Sequence, residues 1–389
     1  MSNTRDTCDH CHSPQLQKIY TAADSQRGLS IYLCAACGLT QSLPRCDRVA
    51  SRHVAVTAGA NWGNVRYGKG FRTRAAIEKL QQVVDLAQVS HCLDVGANRG
   101  AFVLALHALA PGARIVAIEP DRQVTRDYAN HPNIEVIHRR IEAVSLPAQR
   151  FDLIHCSHTL EHLHSPAATL QQIHQAMSDD GVLLLEVPNL AFIGQADVVE
   201  EWFIDKHLYH YTPQTLVAAL AAAGFHCPDS RIDSSAANIR VIATKGDAHH
   251  DHDMETTKKT SLDLIEQYQY NLSKNHQQLA QAARQIESLA ATGRQIVFWG
   301  AGRIFDALMR QGQLNSQAIA GIVDTQLPRF VGTMHGLTLH YPSAIAQLAP
   351  DLVIITAREY YAEIHAELQV LLPGCPSRSL SDLLDSKGL

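Results

Sequence analysis

The run His91-Cys92-Leu93-Asp94-Val95-Gly96-Ala97-Asn98-Arg99-Gly100 constrains this chain more than any other stretch. A short apolar segment ends in an acid, small residues follow, and Ala101 to Leu109 then repeats at helical spacing. That pattern predicts a strand, a tight turn and an amphipathic helix. Glycines in such a turn let backbone come close to a ligand at the helix N-terminus. The next apolar segment, Arg114-Ile115-Val116-Ala117-Ile118-Glu119, ends in an acid 19 residues after Gly100. An acid there suits two ribose hydroxyls in a nucleoside-binding βαβ unit.

The glycine spacing narrows the ligand. A dinucleotide fingerprint needs G-x-G-x-x-G, but Asn98 stands at the second glycine and Gly100 comes one residue early. Asp94 repels phosphate and suits an ammonium group. A ligand with a ribose at one end and an amino-acid cation at the other is S-adenosylmethionine (SAM). Here the chain resembles the class I SAM-dependent methyltransferases, whose first motif reads acid-x-Gly-x-Gly-x-Gly, with Asn98 in place of the middle glycine. The resemblance implies an α/β, Rossmann-like seven-stranded sheet. Its implied cofactor set is Asp94, Gly96, Ala97, Asn98, Gly100, Glu119 and Pro120, with Ile141 and Glu142 at the adenine. An ordinary βα turn in another α/β protein is the plainer alternative.

Further apolar runs at Asn133–His138, Phe151–Cys156 and Gly181–Asn189 read as the third to fifth strands, and a hairpin over 226–244 as the last two. Ligands bind outside the carboxyl ends of such strands, so Ser157, His158, Glu186 and Asn189 should face the site. His158-x-x-Glu161-His162 matches an inverted zinc-protease pattern, and similar E-x-x-E-H segments of some methyltransferases hold a divalent ion. A helix-capping and packing role is the alternative reading of those three residues.

Two C-x2-C knuckles, Cys8/Cys11 and Cys34/Cys37, flank 22 residues that alternate like short strands. Paired knuckles supply four thiolates to a tetrahedral ion, so residues 1–50 read as a zinc ribbon with structural Zn2+. His10, His12 and Cys46 are spares, and redox pairs are the competing reading. Six Lys/Arg stand against four Asp/Glu up to Arg52, so the zinc-loaded module is near neutral and a poor footprint for RNA. The stretch 61–72 is glycine-rich, basic and aromatic: Arg66, Lys69 and Arg72 suit a phosphate or carboxylate, and Trp62 or Tyr67 a ring. Anchoring of a loop is an equal alternative. A helix should follow from Thr73 to Leu86.

The segment Glu201 to Thr212 precedes a helix opened by Pro213 and ended by Gly224. Here the chain resembles the deoxysugar C-methyltransferases, which join a zinc ribbon, a SAM domain and a C-terminal Rossmann-like domain in the same order. Their segment reads roughly H-E-H-x-x-Y-F-[ST]; His207 and Thr212 keep it, while Lys206 and His210 replace the glutamate and tyrosine. The resemblance implies methyl transfer to a nucleotide-linked sugar or similar small polar acceptor, at carbon or at a hydroxyl. His207 is the leading general base, with His210 and His158 behind it, and retention of the active-site cap is the alternative role.

These readings divide the chain into a ribbon (1–50), a methyltransferase domain (51–245), a linker with a long helix (246–292) and a Rossmann-like domain (293–389). The polar run Asp247–Asp253 reads as a solvated linker. Leu262 to Leu289 then recur at helical spacing, against a neighbouring domain or in a homodimer. In the last domain Trp299-Gly300-Ala301-Gly302-Arg303 opens a second strand–turn–helix, with Phe305 at the third glycine position, which weakens NAD binding. Arg303, Asp324 and Arg358 could hold the nucleotide part of a substrate, or the unit is structural.

No apolar run approaches a membrane span, the N-terminus is polar, and nine scattered cysteines do not form a disulfide framework, so a soluble cytoplasmic protein is expected. A net charge of −5 disfavours nucleic acid as partner. An rRNA base methyltransferase and a non-catalytic SAM-binding scaffold remain the alternative functions.

Overall fold

The computed structural model describes residues 6–22, 25, 28–45, 71–234, 237–247, 253–329, 331–357 and 360–380. They fall into two units, one from Met1–Arg52, Gly70–Gly194 and Glu201–Gln267, the other from Gln195–Glu200 and Tyr268–Leu389.

The first unit opens with antiparallel strands β1 (Leu16–Thr21), β2 (Ser30–Cys34) and β3 (Thr40–Leu43). Its main sheet contains β4 (His91–Val95), β5 (Arg114–Ile118), β6 (Ile134–Ile137), β7 (Phe151–Ser157) and β8 (Met177–Pro188), all parallel. A two-residue strand, β9 (Tyr209–His210), leaves this core and pairs with β3, placing Thr40 opposite His210. The three-stranded ribbon thereby becomes a four-stranded sheet.

Three antiparallel strands close the main sheet: β10 (Phe225–His226), β11 (Ile232–Asp233) and β12 (Asn238–Lys245). The order is β10-β12-β8-β7-β4-β5-β6, with β11 beside β12. Seven strands were expected and eight form, because Pro228 and a 3-10 turn at Asp229–Arg231 split the 226–244 hairpin.

Helices α1 (Phe71–Leu80), α2 (Ala101–Leu109), α3 (Pro166–Ala176) and α4 (Pro213–Ala222) belong to this unit. Successive strand residues point to opposite faces. Cys92, Ile115, Leu153 and Leu184 bury against Phe102, Val103 and Leu106 of α2, while Leu93, Ile118, Ile154 and Leu185 share a core with Leu170, Ile173, Leu216 and Leu220 of α3 and α4. Both faces are covered, which is why the parallel strands read as unbroken apolar runs.

Between Glu119 and the next strand the chain runs through turns and forms no helix. Asp121 Oδ1 accepts from the Gln123 amide and Thr125 Oγ1 donates to the Arg122 carbonyl, local bonds that compete with a helical ladder. The helix expected to reach Leu86 ends at Leu80, and Asp85 caps a separate 3-10 turn at Leu86–Gln88.

The second unit has strands β13 (Ile296–Trp299), β14 (Gly321–Val323), β15 (Thr333–Met334), β16 (Leu337–His340), β17 (Leu352–Ile355) and β18 (Ser377–Ser379), ordered β15-β16-β14-β13-β17-β18. All pairs except β15–β16 are parallel. Helix α5 (Met254–Ala291) begins in the first unit and ends in the second, where Leu279, Ala282, Ala283 and Ile286 join the core beneath Ile296, Phe298 and Ile354. Helices α6 (Arg303–Arg310) and α7 (Tyr361–Leu371) complete it. No described helix is long and apolar enough to cross a membrane.

Candidate active site

The turn after β4 is shaped by three left-handed residues: Gly96 (φ +80°), Asn98 (+49°) and Gly100 (+74°). Asparagine tolerates this conformation better than most side chains, which accounts for Asn98 at the middle position. A Cβ on Gly96 would lie 1.9 Å from Thr159 Oγ1, and one on Gly100 2.3 Å from the Tyr128 ring. Glu119, 2% exposed, clamps the turn: Oε2 accepts from the Asn98 amide at 3.0 Å and Oε1 from the Asp121 amide at 2.9 Å. Tyr128 Oη donates to the Asn98 carbonyl at 2.8 Å.

The other cofactor candidates surround this turn. Asp94 is buried, with Oδ1 2.7 Å from His155 Nδ1, and the His155 ring stacks on Phe102. Ala97 and Ile141 are buried, and Pro120 is half-buried behind Glu119. Glu142 is held by Arg140 Nη2 at 2.7 Å and the His164 amide at 3.2 Å. Burial presses its pKa up, but Arg140 and those hydrogen bonds bring it below the ordinary carboxylate value. Tyr128 and His155 went unremarked in the sequence, because no local pattern links either to the turn it supports.

Beyond β7 the chain assembles a cluster of imidazoles and carboxylates. Ser157 Oγ donates to Glu186 Oε1 at 3.3 Å, and Thr159 Oγ1 donates to the Val95 carbonyl at 3.1 Å, tying this segment to the glycine turn. His158 adopts φ +50° and lies between two carboxylates, Nδ1 3.4 Å from Glu161 Oε1 and Nε2 3.3 Å from Glu186 Oε1. Burial lowers its pKa, but the two carboxylates outweigh that and raise it. Glu186 also pairs with Arg240; burial opposes ionisation, yet His158 and Arg240 hold its pKa at about 2.

Glu161 is fully buried in a 3-10 turn spanning Leu160–His162. Burial raises its pKa, and the neighbouring His162 and His158 reverse the sign. Its carbonyl accepts from the Leu208 amide at 2.8 Å, and His162 Nδ1 donates to the Lys206 carbonyl at 2.7 Å. These two bonds bring His207 to the cluster, with its ring 4.9 Å from that of His162. Burial, then His162 and Lys206, press the His207 pKa well below the ordinary value.

His210 lies elsewhere. It is 4% exposed, its Nε2 is 2.8 Å from Ser42 Oγ on β3, and its ring meets the face of Phe203 edge-on. Burial pushes its pKa down to about 3. Thr212 is equally structural, capping α4 through its Oγ1 and the Thr215 amide. Asn189 is buried, donating to the Ser234 carbonyl.

The four knuckle cysteines converge, with Cys8 Sγ 3.5 Å from Cys37 Sγ and Cys11 Sγ 3.5 Å from Cys34 Sγ. All four sulfurs lie within 4.8 Å of one another, and none is in a disulfide. His10 and His12 are not part of this group. In the second unit, Arg303 Nε donates to Glu200 at 2.9 Å, and both oxygens of Asp324 accept backbone amides, from Ala301, Gln326 and Leu327. Cys46, Trp62, Arg66, Tyr67, Lys69 and Arg358 lie outside the described residues.

Residues 69–228 match a family described as Methyltransferase domain, and residues 292–372 one described as C2185-like, N-terminal. Among solved structures, a SAM-dependent methyltransferase from Mesorhizobium loti aligns at 17% identity over 43% of this chain and 96% of that one, with TM-score 0.37. A SAM-dependent methyltransferase from Aquifex aeolicus aligns at 16% identity over 44% and 89%, with TM-score 0.36. Human N-acetylserotonin methyltransferase in complex with SAM aligns at 17% identity over 47% and 54%, with TM-score 0.37. No curated protein matches the chain. Residues 69–228 thus carry a methyltransferase domain.

Proposed function

We propose that the chain methylates a hydroxyl or carbon of a small polar acceptor, a nucleotide-linked sugar or related biosynthetic intermediate, at the cluster past β7. The observation that carries this is the tie from the Thr159 hydroxyl to the Val95 carbonyl, which sets the imidazole–carboxylate cluster directly beside the glycine turn. SAM supplies an electrophilic methyl group when bound. The left-handed turn suits it: Gly96 and Gly100 let the backbone turn tightly against Thr159 and Tyr128 at the start of α2. Gly96, Ala97, Asn98 and Gly100 hold the cofactor in this reading, with Glu119 clamping the turn beneath them and Asp94 held against His155.

Both ring nitrogens of His158 face carboxylates, so it bridges Glu161 and Glu186 and holds the cluster in place. His207 is the base that takes the acceptor's proton in this reading, its ring kept neutral by burial. The ring of His210 is committed to Ser42 and Phe203, so its role here is to anchor the segment that carries His207.

The ribbon binds structural zinc in this reading. Sulfurs about 2.3 Å from a tetrahedral ion lie about 3.8 Å apart, close to the 3.5 Å seen for both pairs. Four protein ligands leave no open position, so this ion folds the ribbon and performs no chemistry.

Calorimetric titration with S-adenosylhomocysteine, repeated with uridine and thymidine nucleotides and their sugars, tests the reading. Product binding with a nucleotide adding separately is the expected result. Absence of product binding overturns it. Product binding with every nucleotide silent overturns the sugar assignment alone. The net charge of −5 weighs against the RNA-modifying alternative.

A further inference from the structure

We infer that Glu161, His162 and His207 bind a divalent transition-metal ion beside the glycine turn, separate from the four-thiolate site. Glu161 and His162 sit on the turn after β7, while His207 arrives from 45 residues further along. One ligand atom from each lies within 4.8 Å of the other two. Ligand atoms about 2.0–2.2 Å from one ion stand at most about 4.4 Å apart, a spacing close to that of this group.

Three observations distinguish this group from a packed polar cluster. Glu161 is fully buried, and among the described residues neither of its carboxylate oxygens has a hydrogen-bond partner. The nearest imidazole nitrogens stand at 3.4 Å (His158 Nδ1) and 3.7 Å (His162 Nε2), too far for good hydrogen bonds. A buried carboxylate left in that state is costly, and a cation at its oxygens removes the cost.

The second observation concerns His162. Its Nδ1 donates to the Lys206 carbonyl at 2.7 Å, which orients the ring and, in the neutral ring, puts the lone pair on Nε2, toward Glu161. Metal-bound histidines are held in just this way by a carbonyl behind the ring. The third is the donor set. Two imidazoles and one carboxylate suit divalent iron, manganese, cobalt or zinc and leave coordination positions open, unlike four thiolates. The set also corrects the triple suggested by the H-x-x-E-H spacing. His158 stands behind Glu161, linking it to Glu186 and Arg240, and His207 takes the third ligand position.

The ion's role rests on the proposed function. An open position beside the glycine turn would take an acceptor oxygen, orient it and lower its pKa so that its proton passes to water, with His207 then a ligand of the ion in place of the base. This deepens the reading toward O-methylation.

The test uses full-length protein dialysed against a weak chelator until one zinc per chain remains, then titrated separately with Mn2+ and Co2+. Uptake of one further ion per chain is expected. His207→Ala and His162→Ala should each weaken it tenfold or more; both rings are partly exposed, and circular dichroism checks that the variants fold. Failure of the wild-type chain to take up either ion overturns the inference, as does binding by both variants as tight as wild type. S-adenosylhomocysteine titrated into the wild-type chain separates the two readings. Ion uptake with no product binding overturns the proposed function alone, and product binding with no ion uptake overturns this inference alone.

Discussion

The two units build their first turns with the same parts. In one, the Gly96 amide bonds to the Ile118 carbonyl and Glu119 accepts from the Asn98 amide; in the other, the Gly300 amide bonds to the Val323 carbonyl and Asp324 accepts from the Ala301 amide. Each glycine faces a threonine hydroxyl, Thr159 or Thr356, that a Cβ would strike, at 1.9 or 2.6 Å. The difference lies past the turn. The first unit adds Asn98 and a left-handed Gly100, and β7, beside β4 in the sheet, leads into the imidazole–carboxylate cluster. The second enters α6 at Gly302, and among its described residues no metal-capable group forms. An acid at the end of the second strand is therefore a clamp for the turn in both units, whatever the turn binds.

Substitution of the two glycines is the strongest way to break this comparison. Gly96→Ala combines a steric clash with left-handed strain and should cost about 3–4 kcal/mol in its unit, abolishing S-adenosylhomocysteine binding. Gly300→Ala should destabilise the second unit by a similar amount and leave product affinity within about twofold. Loss of product binding in both variants would show that the two turns are not functionally distinct.

Acid should separate the units next. Glu186 is held at about 2 against an ordinary 4.5, so its contribution is present above about pH 4.5 and lost as pH falls toward 2. The contribution is about 3 kcal/mol by the size of that shift, in a group that is almost wholly buried. Glu186→Gln should flatten the acid dependence of the first unit alone, read by hydrogen exchange in peptides from 91–118 and 296–323.

Smaller effects sharpen the shared part. Glu119→Gln and Asp324→Asn each remove charge-assisted bonds to backbone amides and should each cost about 2 kcal/mol by thermal unfolding. Matching losses would support a common clamp, while product affinity should fall only for Glu119→Gln. Thr159→Val and Thr356→Val keep the shape, remove one hydroxyl bond each and should cost about 1 kcal/mol. A much larger loss at Thr159 would mean that its tie to Val95 also positions the cluster.

Much of this was legible in the chain itself. The strand run, the helix Ala101–Leu109 and the two cysteine knuckles follow from periodicity and short spacing, which the local backbone obeys. The cluster was legible only in part. His158, Glu161 and His162 are four residues apart at most, but His207 joins them through the Glu161 carbonyl and the Lys206 carbonyl, bonds that no spacing rule encodes. His155 beneath Asp94 and Tyr128 over Gly100 were invisible for the same reason. His207 was set ahead of His210, three residues on in the same motif, but no sequence pattern showed that a two-residue strand buries His210 against Ser42 while His207 meets Glu161.

The pairing of β3 with β9 also fixes an order of assembly. Gln41 and Tyr209 are neighbours across that sheet, and the stretch between them must be made before they meet. A ribbon that folds before residues 209–210 emerge from synthesis keeps the β3 edge bare until they do. Its last strand then captures the segment bearing His207, a long-range contact of the kind that slows folding. Until that happens the ribbon's edge is a template for any stray strand, a risk that the two residues of β9 remove.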